Sequence, residues 1–240
     1  MTGQLLHKFR NHGPLSRRTK FLILALVPVY FMAAGLILQP ADEVWRGIVT
    51  IIREPDFLIT DYIAIGGIGA AFINAGGLAL ISIAIVYFLG MDMSGHTITS
   101  CFLMFGFSLF GKNILNIWSI MMGVCLYAFY HKTSVTRYIY VGFYGTSLSP
   151  IITQLMTVGH LPLAVRLPFS ILVGMIIGFV LPPLSTHTHY SHKGYSLYHV
   201  GFASGIIATV LVSLMNSLRL QTEARLIRFT GHDVLLVRPM

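Results

Sequence analysis

Residues 63–89 read IAIGGIGAAFINAGGLALISIAIVYFL, without one formal charge, and this stretch decides the fold class. A hydrocarbon core about 30 Å thick takes roughly 20 apolar residues as helix, so the run is long enough to cross a bilayer once. In that medium a helix satisfies each backbone N–H and C=O within its own segment. The first half, Gly66-Gly67-Ile68-Gly69-Ala70-Ala71, is dense in small residues, and small residues let another helix backbone approach closely. A packing seam is the reading.

The same character extends along the chain. Of 240 residues, 55% are hydrophobic and 10% charged, and the mean hydropathy is +0.76, which excludes an ordinary soluble domain. Further apolar windows lie at 21–38, 97–110, 114–130, 138–156, 169–181 and 198–218. They predict an all-α polytopic transmembrane helical bundle of about six or seven spans. The organisation reads as a basic cytoplasmic segment over 1–20, a transmembrane domain over 21–218, and a basic tail over 219–240. The end of that tail has the look of a truncated or non-native continuation. Cys101 and Cys125 both fall inside apolar windows, so no disulfide framework or Cys-based metal site is expected.

Charge supplies the orientation. Lys8, Arg10, Arg17, Arg18 and Lys20 precede the first window with no acid among them, which reads as a retained first anchor with a cytoplasmic N-terminus. Residues 39–62 hold Asp42, Glu43, Glu54, Asp56 and Asp61 and read as an outer loop. Within it, residues 44–52 suit a surface helix anchored by Trp45. His131, Lys132 and Arg137 form a short basic inner loop. The formal net charge of +8 thus sits beside spans, where anionic lipids are its partners, and gives no nucleic-acid footprint. One conflict remains. Arg219, Arg225 and Arg228 follow the last window, and a count of seven spans puts them outside; re-entry of 138–156 would restore agreement, and the two topologies stand side by side.

Two interruptions carry the chemical interest. Gly111-Lys112-Asn113 falls between apolar windows, and between Asp92 and Glu223 the chain has no acid to pair with Lys112. A Lys at the centre of a span costs about 2.5 to 3.5 kcal/mol on insertion scales. The turn is therefore either an outer one, with Lys112 snorkelling to the interface, or the tip of two half-helices meeting inside the bilayer. In the second case Lys112, with Asn113 and Asn116 beside it, makes a site for a small polar or anionic solute. The second interruption is Ser147-Leu148-Ser149-Pro150, where a proline frees backbone carbonyls in mid-segment. Broken or re-entrant segments near 97–116 and 138–156 would together line a path, with Ser147 and Ser149 on its second side.

The remaining motifs read as structure. The Gly174–Gly178 and Gly201–Gly205 spacings suit helix contacts, with partner membrane helices or a second copy of the chain as further takers. His187, His189, His192 and His199 cluster around a proline pair without Cys, Asp or Glu, so a polar surface loop is preferred to a metal site. The spans offer no acid to orient a His or to form a carboxylate pair, so neither catalysis nor a cofactor is expected.

Several separated phrases together carry a resemblance. They are Thr60-Asp61-Tyr62 with Gly66 to Ala71, Asn74-Ala75-Gly76, Phe110-Gly111-Lys112-Asn113 with Asn116-Ile117-Trp118, and Gly194 to Tyr198 with Val200-Gly201-Phe202. Over residues 20–225 the chain resembles the bacterial family called domain of unknown function 1576. The resemblance implies a multi-pass protein of the bacterial cytoplasmic membrane and carries over no substrate and no catalytic residue. The expected function is a transporter or channel-like protein. The alternative is a structural or assembly subunit of a membrane complex, with no solute path.

Overall fold

The structure is a computed structural model and describes residues 15–54, 60–157, 162–191 and 199–217. The expected N-terminal segment before 15 and the tail after 217 lie outside these residues. Within them the chain is a helical bundle: α1 (Arg17–Leu38), α2 (Ala41–Arg53), α3 (Tyr62–Phe88), α4 (Gly95–Phe107), α5 (Trp118–Tyr130), α6 (Ile139–Gly145), α7 (Ser149–Thr157), α8 (Leu163–Ser191) and α9 (His199–Ser217). Among these, α1, α3, α8 and α9 are long and apolar enough to cross a bilayer. The outward side chains include Ile37, Phe88, Phe129 and Val210, a surface suited to lipid tails rather than water. The chain is a membrane-embedded all-α protein.

Local chemistry sets the helix limits. Ser16 caps α1 by accepting from Thr19 N, Asp61 caps α3 by accepting from Ile63 N at 2.9 Å, and Ser94 with Thr97 forms a capping box at α4. Gly90, at φ +75°, closes α3: its N–H reaches Tyr87 O while Met91 N–H reaches Val86 O, the paired bonds of a left-handed helix stop. Arg17 then grips that stop, with Nε donating to Met91 O at 2.9 Å and Nη2 to Tyr87 O at 2.5 Å. A cation held over the last carbonyls of a helix also offsets its dipole.

α1 and α3 are antiparallel: Phe21 meets Tyr87, Phe31 meets Phe72, and Gly35 meets Gly69. α2 lays Val44, Gly47 and Ile51 against the first half of α3 and leaves Trp45 exposed, as the amphipathic reading of 44–52 requires. Its Asp42 carboxyl is held below the ordinary carboxylate range by hydrogen bonding to Arg46 one turn on. The seam at 66–71 is present. A Cβ on Gly66 would lie 2.8 Å from the Gly47 carbonyl, and one on Gly69 2.7 Å from that of Gly35. The Gly174–Gly178 seam is present too, with Gly178 on the Ile120 carbonyl of α5. At Gly205 the other seam meets nothing within 4 Å among the described residues.

One expectation needs correcting: 63–89 is not an unbroken helix. Gly67 sits at φ +83° and ψ +163°, a conformation reserved for glycine, and splits α3 after one turn. The freed groups are taken by Gln39, just past the end of α1. Its Oε1 accepts from Gly69 N at 2.8 Å and Ala70 N at 3.4 Å, and its Nε2 donates to Gly66 O at 3.3 Å.

Both interruptions near 97–116 and 138–156 are present, and they differ. α4 begins where Thr97 Oγ1 meets Tyr140 OH at 2.6 Å, and α5 ends where Tyr127 stacks edge-on against Tyr138 at 5.2 Å. Both ends of the 95–130 segment therefore lie at the end of the bundle that holds the start of α6, and the segment turns back on itself. The second segment does not. From Tyr138 at that end, α6, a 3-10 turn (Thr146–Leu148) and α7 lead to Thr157, whose carbonyl accepts from Arg166 Nη1 at the start of α8. α8 returns, bringing Phe179 beside Tyr127. The part that doubles back is thus 95–130, not 138–156. The turn of 95–130 is made at Gly111, whose positive φ and bond to Asn116 reverse the chain, and α6 packs against both α4 and α5, between them.

Candidate functional site

A backbone that leaves the helix inside an apolar bundle needs partners for the groups it frees, and polar side chains near the breaks are those partners. At the end of α4, Gly111 adopts φ +88° and lets Lys112 N–H reach back to Phe107 O. A Cβ on Gly111 would lie 2.7 Å from the Pro150 ring, so the glycine also admits the second broken segment. Asn113 Oδ1 accepts from the N–H of Leu115 and of Asn116, and Asn116 Oδ1 accepts from Asn113 N, each at 3.0 Å. Asn116 Nδ2 then donates to Gly111 O and to Thr153 Oγ1 of α7, both at 3.0 Å. From mid-α3, Asn74 Nδ2 donates to Ser108 O at 2.7 Å and Lys112 O at 2.8 Å. The tip is therefore held at mid-height, between the centre of α3 and the centre of the α6–α7 run.

The second break follows from Pro150. Lacking an N–H, it cannot bond the Thr146 carbonyl four residues back, and that carbonyl accepts from Ser149 N–H in the 3-10 turn instead. Thr146 Oγ1 donates to Phe143 O at 2.7 Å and lies 3.2 Å from Met104 Sδ.

Lys112 projects into this junction and is 1% exposed. Its Nζ donates to Phe143 O of α6 at 3.3 Å, lies 3.4 Å from Met104 Sδ of α4, and stands 5.0 Å from the centroid of the Phe107 ring. Among the described residues no carboxylate comes within ion-pair distance. Of the two readings of Gly111-Lys112-Asn113, the interior tip is the one this geometry describes.

The five residues expected to line a path do not behave alike. Lys112, Asn113 and Asn116 are brought together, but the two asparagines serve the turn itself. Ser149 is buried and its hydroxyl has no hydrogen-bond partner among the described residues, while Ser147 is half-buried on the 3-10 turn. Asn74, Thr146 and Thr153 join the cluster without having been singled out, and Met104 and Phe143 complete its walls. Asn74 did leave a signal, as the one amide in a charge-free span. Among the described residues no group of three or more metal-binding side chains occurs. His187 lies on α8, and the rest of the histidine cluster falls outside the described side chains.

No curated protein and no solved structure matches the chain. A family model matches residues 41–217, and its description is "Protein of unknown function (DUF1576)".

Proposed function

The chain belongs to the DUF1576 family, whose description assigns no activity, and from that premise we propose a transporter or channel-like protein that moves a small polar or anionic solute past Lys112. One observation carries the reading: a lysine amine buried where two interrupted segments meet, facing only neutral groups among the described residues. Neutral acceptors satisfy its hydrogens but leave a net positive charge in a low-dielectric interior, and an anion offsets that charge best. Ser149, buried at the start of a half-helix with its hydroxyl unpartnered among the described residues, adds a donor on the other segment. The proposed setting is a bacterial cytoplasmic membrane with the N-terminus inside. Arg17 and the basic loop around Arg137 share one end of the bundle, in keeping with the positive-inside bias.

Proteoliposomes loaded with chloride, nitrate, acetate or glycerol test the proposal. Lys112→Gln is expected to lower the flux of whichever anion the wild type moves by about tenfold or more, from loss of one buried charge contact, while glycerol flux changes little. Wild-type vesicles that release none of these solutes faster than empty ones, or a folded Lys112→Gln variant with full flux, would sink it. The second reading, an assembly subunit, draws on the engagement of Asn113 and Asn116 in the turn. Cysteines placed singly at Ser108, Lys112 and Ser147 separate the two, since sealing of all three from water-soluble reagents on both sides favours the subunit.

A further inference from the structure

The groups around Lys112 Nζ share one property: each turns electron density inward. Phe143 presents a carbonyl oxygen, Met104 a thioether sulfur, and Phe107 the face of its ring. Thr146 directs its own hydrogen to the same Phe143 carbonyl, so it offers no hydrogen to an anion there. An oxygen, a soft sulfur and a ring face are what a desolvated cation selects. The walls come from different segments, Met104 and Phe107 from α4 and Phe143 from α6, and the ammonium bridges them from the tip.

We infer that this junction is a monovalent-cation socket filled from within. The Lys112 ammonium occupies the place of a free primary ammonium or alkali ion and latches the returning segment 95–130 to α6. The tethered charge makes the latch independent of external cations in the native chain. It does not rest on solute movement, because the socket belongs to the resting fold and its readout is stability.

The experiment uses the full chain in lipid nanodiscs. Lys112→Ala removes the three methylenes and the ammonium beyond Cβ, a void matched by n-propylammonium. The expected result is a Tm lowered by about 5 °C or more in Lys112→Ala, in the range set by losing a buried cluster from a chain of this size. n-Propylammonium chloride should recover at least half of that loss. Tetramethylammonium chloride, which has no N–H, and 1-propanol, which has no charge, should recover none, and the wild type should respond to none of the three. Equal recovery by the controls, no recovery by n-propylammonium, or a recovery that follows the anion when chloride is replaced by nitrate overturns the inference. Should Lys112→Ala aggregate with and without amine, Lys112→Met decides, since it keeps the stem and loses the charge. A Tm below wild type supports the socket, because the acceptors are left without a cation. A Tm equal to or above wild type overturns it, because the charge is then merely tolerated.

Discussion

Replacing Gln39 by Ala puts the break in α3 to a quantitative test. The amide makes one well-formed bond, from Gly69 N at 2.8 Å, and two long ones, from Ala70 N at 3.4 Å and to Gly66 O at 3.3 Å. A buried group left without its partner costs about 1 to 3 kcal/mol, and a long bond contributes less. Gln39 is only half-buried, so water or headgroups recover part of the loss. The net destabilisation comes to about 2 kcal/mol, roughly 30-fold in the unfolding equilibrium. Reversible SDS unfolding in mixed micelles measures it, with the fluorescence of Trp45 on the adjoining α2 as the probe. The effect is tied to the break, so a double-mutant cycle sharpens it. In Gly67→Ala the new Cβ lies 2.5 to 2.8 Å from the Gln39 amide, at a φ of +83° that L residues rarely adopt. With Gln39 already truncated the collision disappears and only the backbone strain remains. The two substitutions together should therefore cost about 1 kcal/mol less than their sum. Strict additivity, or Gln39→Ala within about 0.5 kcal/mol of wild type, would refute the reasoning.

Two further expectations concern packing. Gly178→Ala drives a Cβ into the Ile120 carbonyl, where backbone rather than a flexible side chain must yield, and should cost about 1 to 3 kcal/mol. Gly205→Ala meets nothing within 4 Å among the described residues and should stay within about 0.5 kcal/mol of wild type; thermal unfolding of the pair in one detergent checks both. Asn74→Ala orphans the Ser108 and Lys112 carbonyls at mid-height, so about 1 to 2 kcal/mol should be lost, with amide exchange rising over 108–113 and not at the far end of α3.

The sequence made the membrane character plain, because charge-free windows of spanning length have few other uses. It also located both interruptions, since Gly111 and Pro150 act locally, one through a left-handed φ and the other through a missing N–H. The break at Gly67 was hidden for a physical reason: a glycine pair in an apolar run reads equally as a contact surface and as a hinge, and here it is both. What decides is Gln39, nearly thirty residues earlier, and such a partner leaves no mark on local pattern. The direction of each broken segment was equally out of reach. It depends on pairs such as Thr97 with Tyr140 and Tyr127 with Tyr138, contacts between segments that periodicity cannot register. At the site, Lys112 stood out as a charge without a countercharge. Asn113 and Asn116 stood out as polar, yet their use as turn-makers rather than as ligands follows from bonds to N–H groups two or three residues away.

The position of α6 between α4 and α5 bears on the order of assembly. Synthesis runs from the N-terminus, so the segment that enters and returns is complete before the one that fills it exists. When Tyr130 has been added, Asn74 can already hold the tip, but Phe143, Pro150 and Thr153 have yet to be made. Until they arrive the ammonium lacks its carbonyl, and headgroups or water must host it, as they host any snorkelling lysine. It follows that this part of the bundle is finished by a late insertion, in which one short helix wedges between two earlier ones and draws the charge inward behind it. Slow synthesis over 131–145 would then lengthen the life of an open intermediate, and the final fold would be reached by closure from the C-terminal side.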